Sequence, residues 1–113
     1  MISNFKNQPV IRDKKWLSDC HNLPCVCTNQ QTAIVTHHLL RCPSRRGFRR
    51  SGDNHILPMT DAKHKELHNM GDEKKFFEDH GVSDPVGLAE KLYANRHCLN
   101  SCIITIHEEN NFI

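Results

Sequence analysis

The chain has 113 residues, of which 37% are apolar and 6% aromatic, and its net charge is only +2. That length holds one small domain and not two, its thin core would gain from a bound metal, and its balanced charge gives no global field toward any partner. No run approaches the roughly 20 apolar residues of a membrane span, and positions 1–15 carry no apolar signal core. The expectation is therefore a soluble, intracellular (cytoplasmic) protein. Its six cysteines, Cys20, Cys25, Cys27, Cys42, Cys98 and Cys102, are then reduced thiols and not a disulfide framework.

Residues 1–11 are polar, contain a proline and read as an irregular arm. Arg12 to Asn22, with Trp16-Leu17 among charges, predicts a short helix that Leu23-Pro24 ends, because proline disfavours helix in the residue before it. Cys25 to Asn29 reads as a turn. Ala33 to Leu39 is apolar and β-branched and predicts a strand. Residues 41–54 hold Pro43, Gly47 and Gly52 among five arginines, which predicts a mobile basic loop and no continuous helix. His55 to Met59 predicts a second strand whose Pro58 confines it to an edge or an end. Thr60 caps a helix to about Met70, with Asp61 in its first turn and Gly71 as its stop. Asp72 starts a further helix, Glu73 to His80, stopped by Gly81. Asp84-Pro85 opens a third, to about Arg96, that buries Leu88, Ala89 and Leu92. Cys98 to Ile106, apolar and β-branched toward its end, reads as a strand. There is no internal repeat.

The nine histidines are far more than composition alone would give, and four of them form two pairs. His64 and His68 stand one turn apart, so they share a helix face and can offer ring nitrogens to one ion at about 2.0–2.1 Å. His37 and His38 are adjacent in a strand and point to opposite sides. If His37 joins the ion, His38 is left free to move a proton. An i, i+4 histidine pair alone is more often a surface feature. The adjacent pair, and the strand, loop, strand and helix between the two pairs, favour a single site.

This arrangement resembles the ββα-metal (His-Me finger) fold of HNH endonucleases, closest to the small phage and prophage type. The resemblance is carried by Leu23-Pro24-Cys25, His37-His38, Pro58-Met59-Thr60, His64-x-x-Leu67-His68 and Gly71-Asp72-Glu73. Phe76-Phe77, Gly81-Val82 and Leu88-Ala89 continue it, so that it covers roughly residues 12–93. It implies an α+β fold with a ββα-metal core and additional short helices at both ends. In that division residues 1–11 are a flexible arm, 12–97 the nuclease domain and 98–113 a C-terminal extension. It further implies a phosphodiester hydrolase acting on DNA, with His37, His64 and His68 as metal ligands and His38 as the general base that deprotonates water. One divalent ion (magnesium, manganese, nickel or zinc) would bind a phosphate oxygen and the leaving 3′ oxygen. A neutral imidazole near its usual pKa suits the base role at neutral pH. No organic cofactor and no membrane partner are implied.

The chain departs from the family pattern at two places. Many relatives hold a structural zinc through two cysteine pairs. Here the first pair has collapsed to Cys25-Val26-Cys27, while Thr60 and Lys63 stand where further ligands would, so a structural zinc is not expected and packing around Trp16, Leu57 and Leu67 has to replace it. The middle residue of the HNH name, which braces the loop between the strands, falls among Asp53, Asn54 and His55 without a unique assignment. Arg41, Arg45, Arg46, Arg49 and Arg50 suit phosphate, because a guanidinium donates two parallel hydrogen bonds, although a solvated loop is the plainer reading. Cys98 and Cys102 read as buried small hydrophobes, and Lys14-Lys15 and Lys74-Lys75 as solvated helix faces. Two rival readings stay open: a non-catalytic nucleic-acid-binding module of the same fold, and a structural zinc protein using Cys25, Cys27 and two histidines.

Overall fold

A two-stranded antiparallel sheet carries the histidine pair, and five helices surround it among the described residues. The computed structural model describes residues 10–110, and the expected N-terminal arm lies almost wholly outside them. Helix α1 spans Lys14–Cys20. Strands β1 (Ile34–His38) and β2 (Ile56–Thr60) pair in the register His37↔Leu57 and His38↔Ile56. Helices α2 (Asp61–Met70), α3 (Glu73–Asp79), α4 (Pro85–Ala94) and α5 (Leu99–Glu109) follow. No helix is long and apolar enough to cross a membrane.

The helix starts are written in local chemistry. Asp13, Thr60, Asp72 and Asp84 each accept a backbone N–H of the first turn of α1, α2, α3 and α4 in that order, which satisfies donors that have no partner inside the helix. Gly71 closes α2 at φ +73° and donates its N–H to the Leu67 carbonyl, a left-handed conformation that glycine adopts without steric cost. Pro58 fits β2 because each strand of a two-stranded sheet is an edge. The free side of β2 is used by Val26, whose N–H donates to the Pro58 carbonyl at 3.0 Å.

The core runs through all elements. Trp16, Leu23, Leu39, Ile56, Leu57, Met59, Leu67, Phe77, Leu88 and Leu92 are all buried, each burial contributing on the order of 1.5–3 kcal/mol for a large side chain. Cys20, Cys25, Cys27 and Cys102 fill gaps in the same core as free thiols. Helix α2 contributes only Leu67. Its position therefore depends on its two caps and on what its polar face meets.

Three expectations are corrected. Residues 99–109 form helix α5 and not a strand. Cys102 and Ile106, four apart, are buried and Leu99 and Ile103 pack beside them, a helical period that outweighs the β preference of the isoleucines. This helix packs on α4 and shares the common core. Cys98 is exposed, ahead of the helix, and only Cys102 is a buried filler. The basic loop between the strands is irregular, as expected, but it is tied down. Arg12 donates to the carbonyls of Ser51 at 2.6 Å and Arg50 at 3.0 Å, the Asp53 N–H donates to Ile11, and Ser44 is bonded to both Gly52 and His55.

Candidate metal centre and flanking histidine

The alternation of β1 divides its two histidines between two environments. His37 is 1% exposed and faces α2 and α3. Its ring lies 5.1 Å from that of His64 and 5.8 Å from that of His68, centroid to centroid, with Phe77 on another side at 6.1 Å. One ligand atom from each of His37, His64 and His68 lies within 4.8 Å of the others. The Nε2 atoms of His64 and His68 are 3.0 Å apart. Two nitrogens that share one ion at about 2.1 Å stand about 3.0–3.4 Å apart at coordination angles of 90–109°, so this spacing suits a common ion. Burial, followed by the neighbouring His37 and His68, pulls the His64 pKa down to about 4, which keeps its ring free of a proton and ready to ligate at neutral pH. Three imidazoles without a carboxylate in the group can hold a divalent ion, and the donor set suits zinc or nickel at least as well as magnesium.

Glu73 supports this group from the first turn of α3. One carboxylate oxygen is 3.3 Å from His37 Nε2 and the other accepts the Leu40 N–H at 2.7 Å. Both partners sit at the C-terminal end of β1, so the carboxylate fixes the ring against the strand that carries it. Glu73 is itself buried. A carboxylate behind a ligating imidazole sets ring orientation and raises ligand basicity. Nothing in the local sequence singled out Glu73 for this, because its partner is 36 residues away.

His38 faces the other side. Its Nε2 is 2.8 Å from Oδ1 of Asp53. Asp53 is 1% exposed and its second oxygen accepts the Asp13 N–H at 2.7 Å, with the Arg12 guanidinium at 3.4 Å from the first. Burial pushes the Asp53 carboxyl up, but the His38 bond, the Asp13 amide and Arg12 outweigh it and hold the group below the usual carboxylate range. A carboxylate accepts, so His38 donates through Nε2 and the lone pair falls on Nδ1. Burial is the largest effect on His38 and lowers its pKa. Asp53 opposes that shift, while Arg50 and Arg12 add to it. The result is a ring that is neutral at pH 7, oriented by a buried carboxylate and flanked by guanidiniums.

Two residues of the expected brace, Asp53 and His55, tie the loop to other elements. Asp53 ties the loop to the N-cap of α1 and to His38. His55 joins Ser44 Oγ at 2.6 Å through Nδ1 and Glu90 of α4 at 2.9 Å through Nε2, and its carbonyl accepts the Leu39 N–H. The side-chain oxygen of Asn54 is buried without a hydrogen-bond partner. Of the loop arginines, Arg41, Arg49 and Arg50 are exposed, whereas Arg45 donates to the carbonyls of Gly47 and Leu40 within its own loop.

Cys25 and Cys27 lie apart from this centre. Both are buried, and among the described residues no third ligand joins them in a metal-binding group. A hydrogen bond from Cys27 lowers the Cys25 thiol and raises that of Cys27 in return. Lys63 lies near enough to act on Cys27 electrostatically. Lys15 and Lys75 pair with Asp19 and Asp79 on exposed helix faces.

The fold and this centre define a small α+β protein with a three-histidine group that can hold a metal ion. No family model, curated protein or solved structure matches the chain.

Proposed function

We propose that this protein is a metal-dependent endonuclease of the ββα-metal, HNH type that hydrolyses DNA phosphodiester bonds. The observation that carries the reading is the split of adjacent histidines across β1. His37 joins His64 and His68 in a group that fits a divalent ion, and His38, next in the chain, is held by a buried carboxylate. A structural metal site has no use for the second half of that arrangement.

His37, His64 and His68 hold the ion, and Glu73 keeps the His37 ring in place. Bound there, a divalent ion supplies charge stabilisation for a phosphate oxygen and for the 3′ oxygen that leaves. Asp53 fixes His38 with Nδ1 unprotonated. That nitrogen takes a proton from water as the water oxygen bonds to phosphorus and the bond to the 3′ oxygen breaks. Positioned proton transfer of this kind contributes about 10²–10⁴ in rate. Arg50 and Arg12, close enough to depress the His38 pKa, attract the phosphate to the same side.

The test is nicking of supercoiled plasmid across magnesium, manganese, nickel and zinc, by wild type beside His38→Ala. The expected result is cleavage by wild type and a loss of about 10²-fold or more in the variant, with calorimetric metal affinity unchanged. Equal cleavage by both would remove His38 as the base. DNA binding without nicking in every metal would instead favour a non-catalytic module.

A further inference from the structure

The exposed aromatic of the basic loop has no structural duty. Of the described phenylalanines, Phe76 and Phe77 are buried, while Phe48 is fully exposed. In a chain with only 6% aromatics, leaving a whole phenylalanine ring in water forgoes the burial such residues usually supply. The loop also presents this ring deliberately. Arg46 to Arg49 form a turn closed by the Arg49 N–H on the Arg46 carbonyl at 3.1 Å. Gly47 takes the first central position at φ +58°, where an added Cβ would meet open space but a strained backbone. Arg45 clamps the turn from inside through the Gly47 carbonyl. Phe48 therefore sits at the tip of an ordered turn, with Arg46 and Arg49 on either side in sequence and the exposed Arg50 next. The base of the loop is anchored to His38 through Asp53, which ties the loop that carries the tip to the strand that carries the candidate centre.

We propose that Phe48 is a wedge that enters a base step of duplex DNA and partly unstacks it, while the flanking arginines hold phosphates on either side. The proposal rests on the nuclease reading and adds what the protein does to its substrate. An apolar side chain inserted between bases kinks the duplex, and phenylalanine is among the residues that do so. A single ring amid guanidiniums fits one opened step of a stacked duplex. A single-strand platform would need successive aromatics along a groove, and the loop has one. The arginines supply the phosphate attraction that makes the approach salt-dependent.

The experiment uses His38→Ala, so that circles stay closed, bound to plasmid with magnesium present and relaxed with a type I topoisomerase. After deproteinisation, wedge insertion leaves a deficit in linking number that grows with bound protein. His38→Ala/Phe48→Ala should lose most of that deficit and bind a short duplex about 5- to 150-fold more weakly, the range for one lost stack, with the same salt slope. His38→Ala/Phe48→Leu should keep the deficit, since leucine also serves as a wedge. Because Phe48 touches nothing in the fold, both variants should melt at the parent temperature. An unchanged deficit in the alanine variant, or no deficit or no DNA binding by His38→Ala itself, overturns the wedge. Nicking by wild type reads the nuclease proposal separately, so either can fail alone.

Discussion

The two faces of β1 are built on different principles. On the His37 side the partners are imidazoles and a supporting carboxylate, brought in by α2 and α3, and two of the three histidines are fixed relative to one another by helix geometry alone. On the His38 side the groups come from separate parts of the chain: the Asp53 carboxylate from the loop, the Arg12 guanidinium and the Asp13 amide that hold it from the chain ahead of α1, and Arg50. One side can bind an ion and the other can orient a proton acceptor. Because a strand sends neighbours to opposite sides, one dipeptide serves both without the two rings sharing a protein partner. On the proposed reading, metal binding and proton transfer are separable by mutation.

The largest effects should come from breaking the His37 side. Helix α2 buries only Leu67, so an ion tying its two histidines to β1 should stabilise the whole protein. At a hundredfold excess over the dissociation constant the gain is about 2.7 kcal/mol, a rise of roughly 10 °C or more in Tm for a domain of this size. His64→Ala and His68→Ala should lose most of that rise in zinc or nickel, measured by thermal unfolding, whereas His38→Ala should keep all of it. A rise of equal size in His64→Ala would remove that ligand.

Asp53→Ala attacks the other side. It leaves the His38 ring, the Asp13 amide and Arg12 without a shared buried acceptor, and should cost about 1–2 kcal/mol in urea unfolding while leaving calorimetric zinc affinity unchanged. A weaker effect is expected from Glu73→Gln, which keeps shape but loses charge behind His37. Metal affinity should fall about tenfold, and nicking should recover when the metal is raised to saturation. Failure to recover would mean that Glu73 acts beyond the ligand.

The smallest effect concerns pH. His38 has its pKa lowered in the fold, chiefly by burial, so its neutral state is favoured by folding. That contribution to stability is complete above about pH 6.5, the unfolded value, and is lost as pH falls through the lower folded value. The acid limb of kcat/KM should accordingly lie below pH 6.5. Arg50 adds to the lowering, so Arg50→Gln should raise the His38 pKa and move that limb up by a fraction of a unit. A shift in the opposite direction would contradict the placement of Arg50 beside the ring.

The comparison also explains what was legible in advance. Helix caps, stops and the spacing of His64 and His68 are local, because capping hydrogen bonds and helix periodicity join residues three or four apart. Thr60, Gly71, Asp72 and Asp84 could therefore be placed from the chain alone. Residues 99–109 show where locality misleads. The isoleucines favour a strand when read singly, and only the buried pair Cys102 and Ile106 against α4 selects the helical period.

By itself the sequence determined the donors: an adjacent histidine pair in a strand, a second pair one helical turn apart, and the local signals that order two strands and four of the five helices. Only the tertiary structure decided which groups stand behind those donors. Glu73 reaches His37 across 36 residues, and Asp53 reaches His38 across 15 and the Asp13 amide across 40. That Asp53 and His55 tie the loop to other elements while the Asn54 oxygen stays without a partner likewise needed side-chain positions. Such pairings are set by how the elements pack and by the cost of burying a carboxylate without partners, and no spacing along the chain encodes that cost.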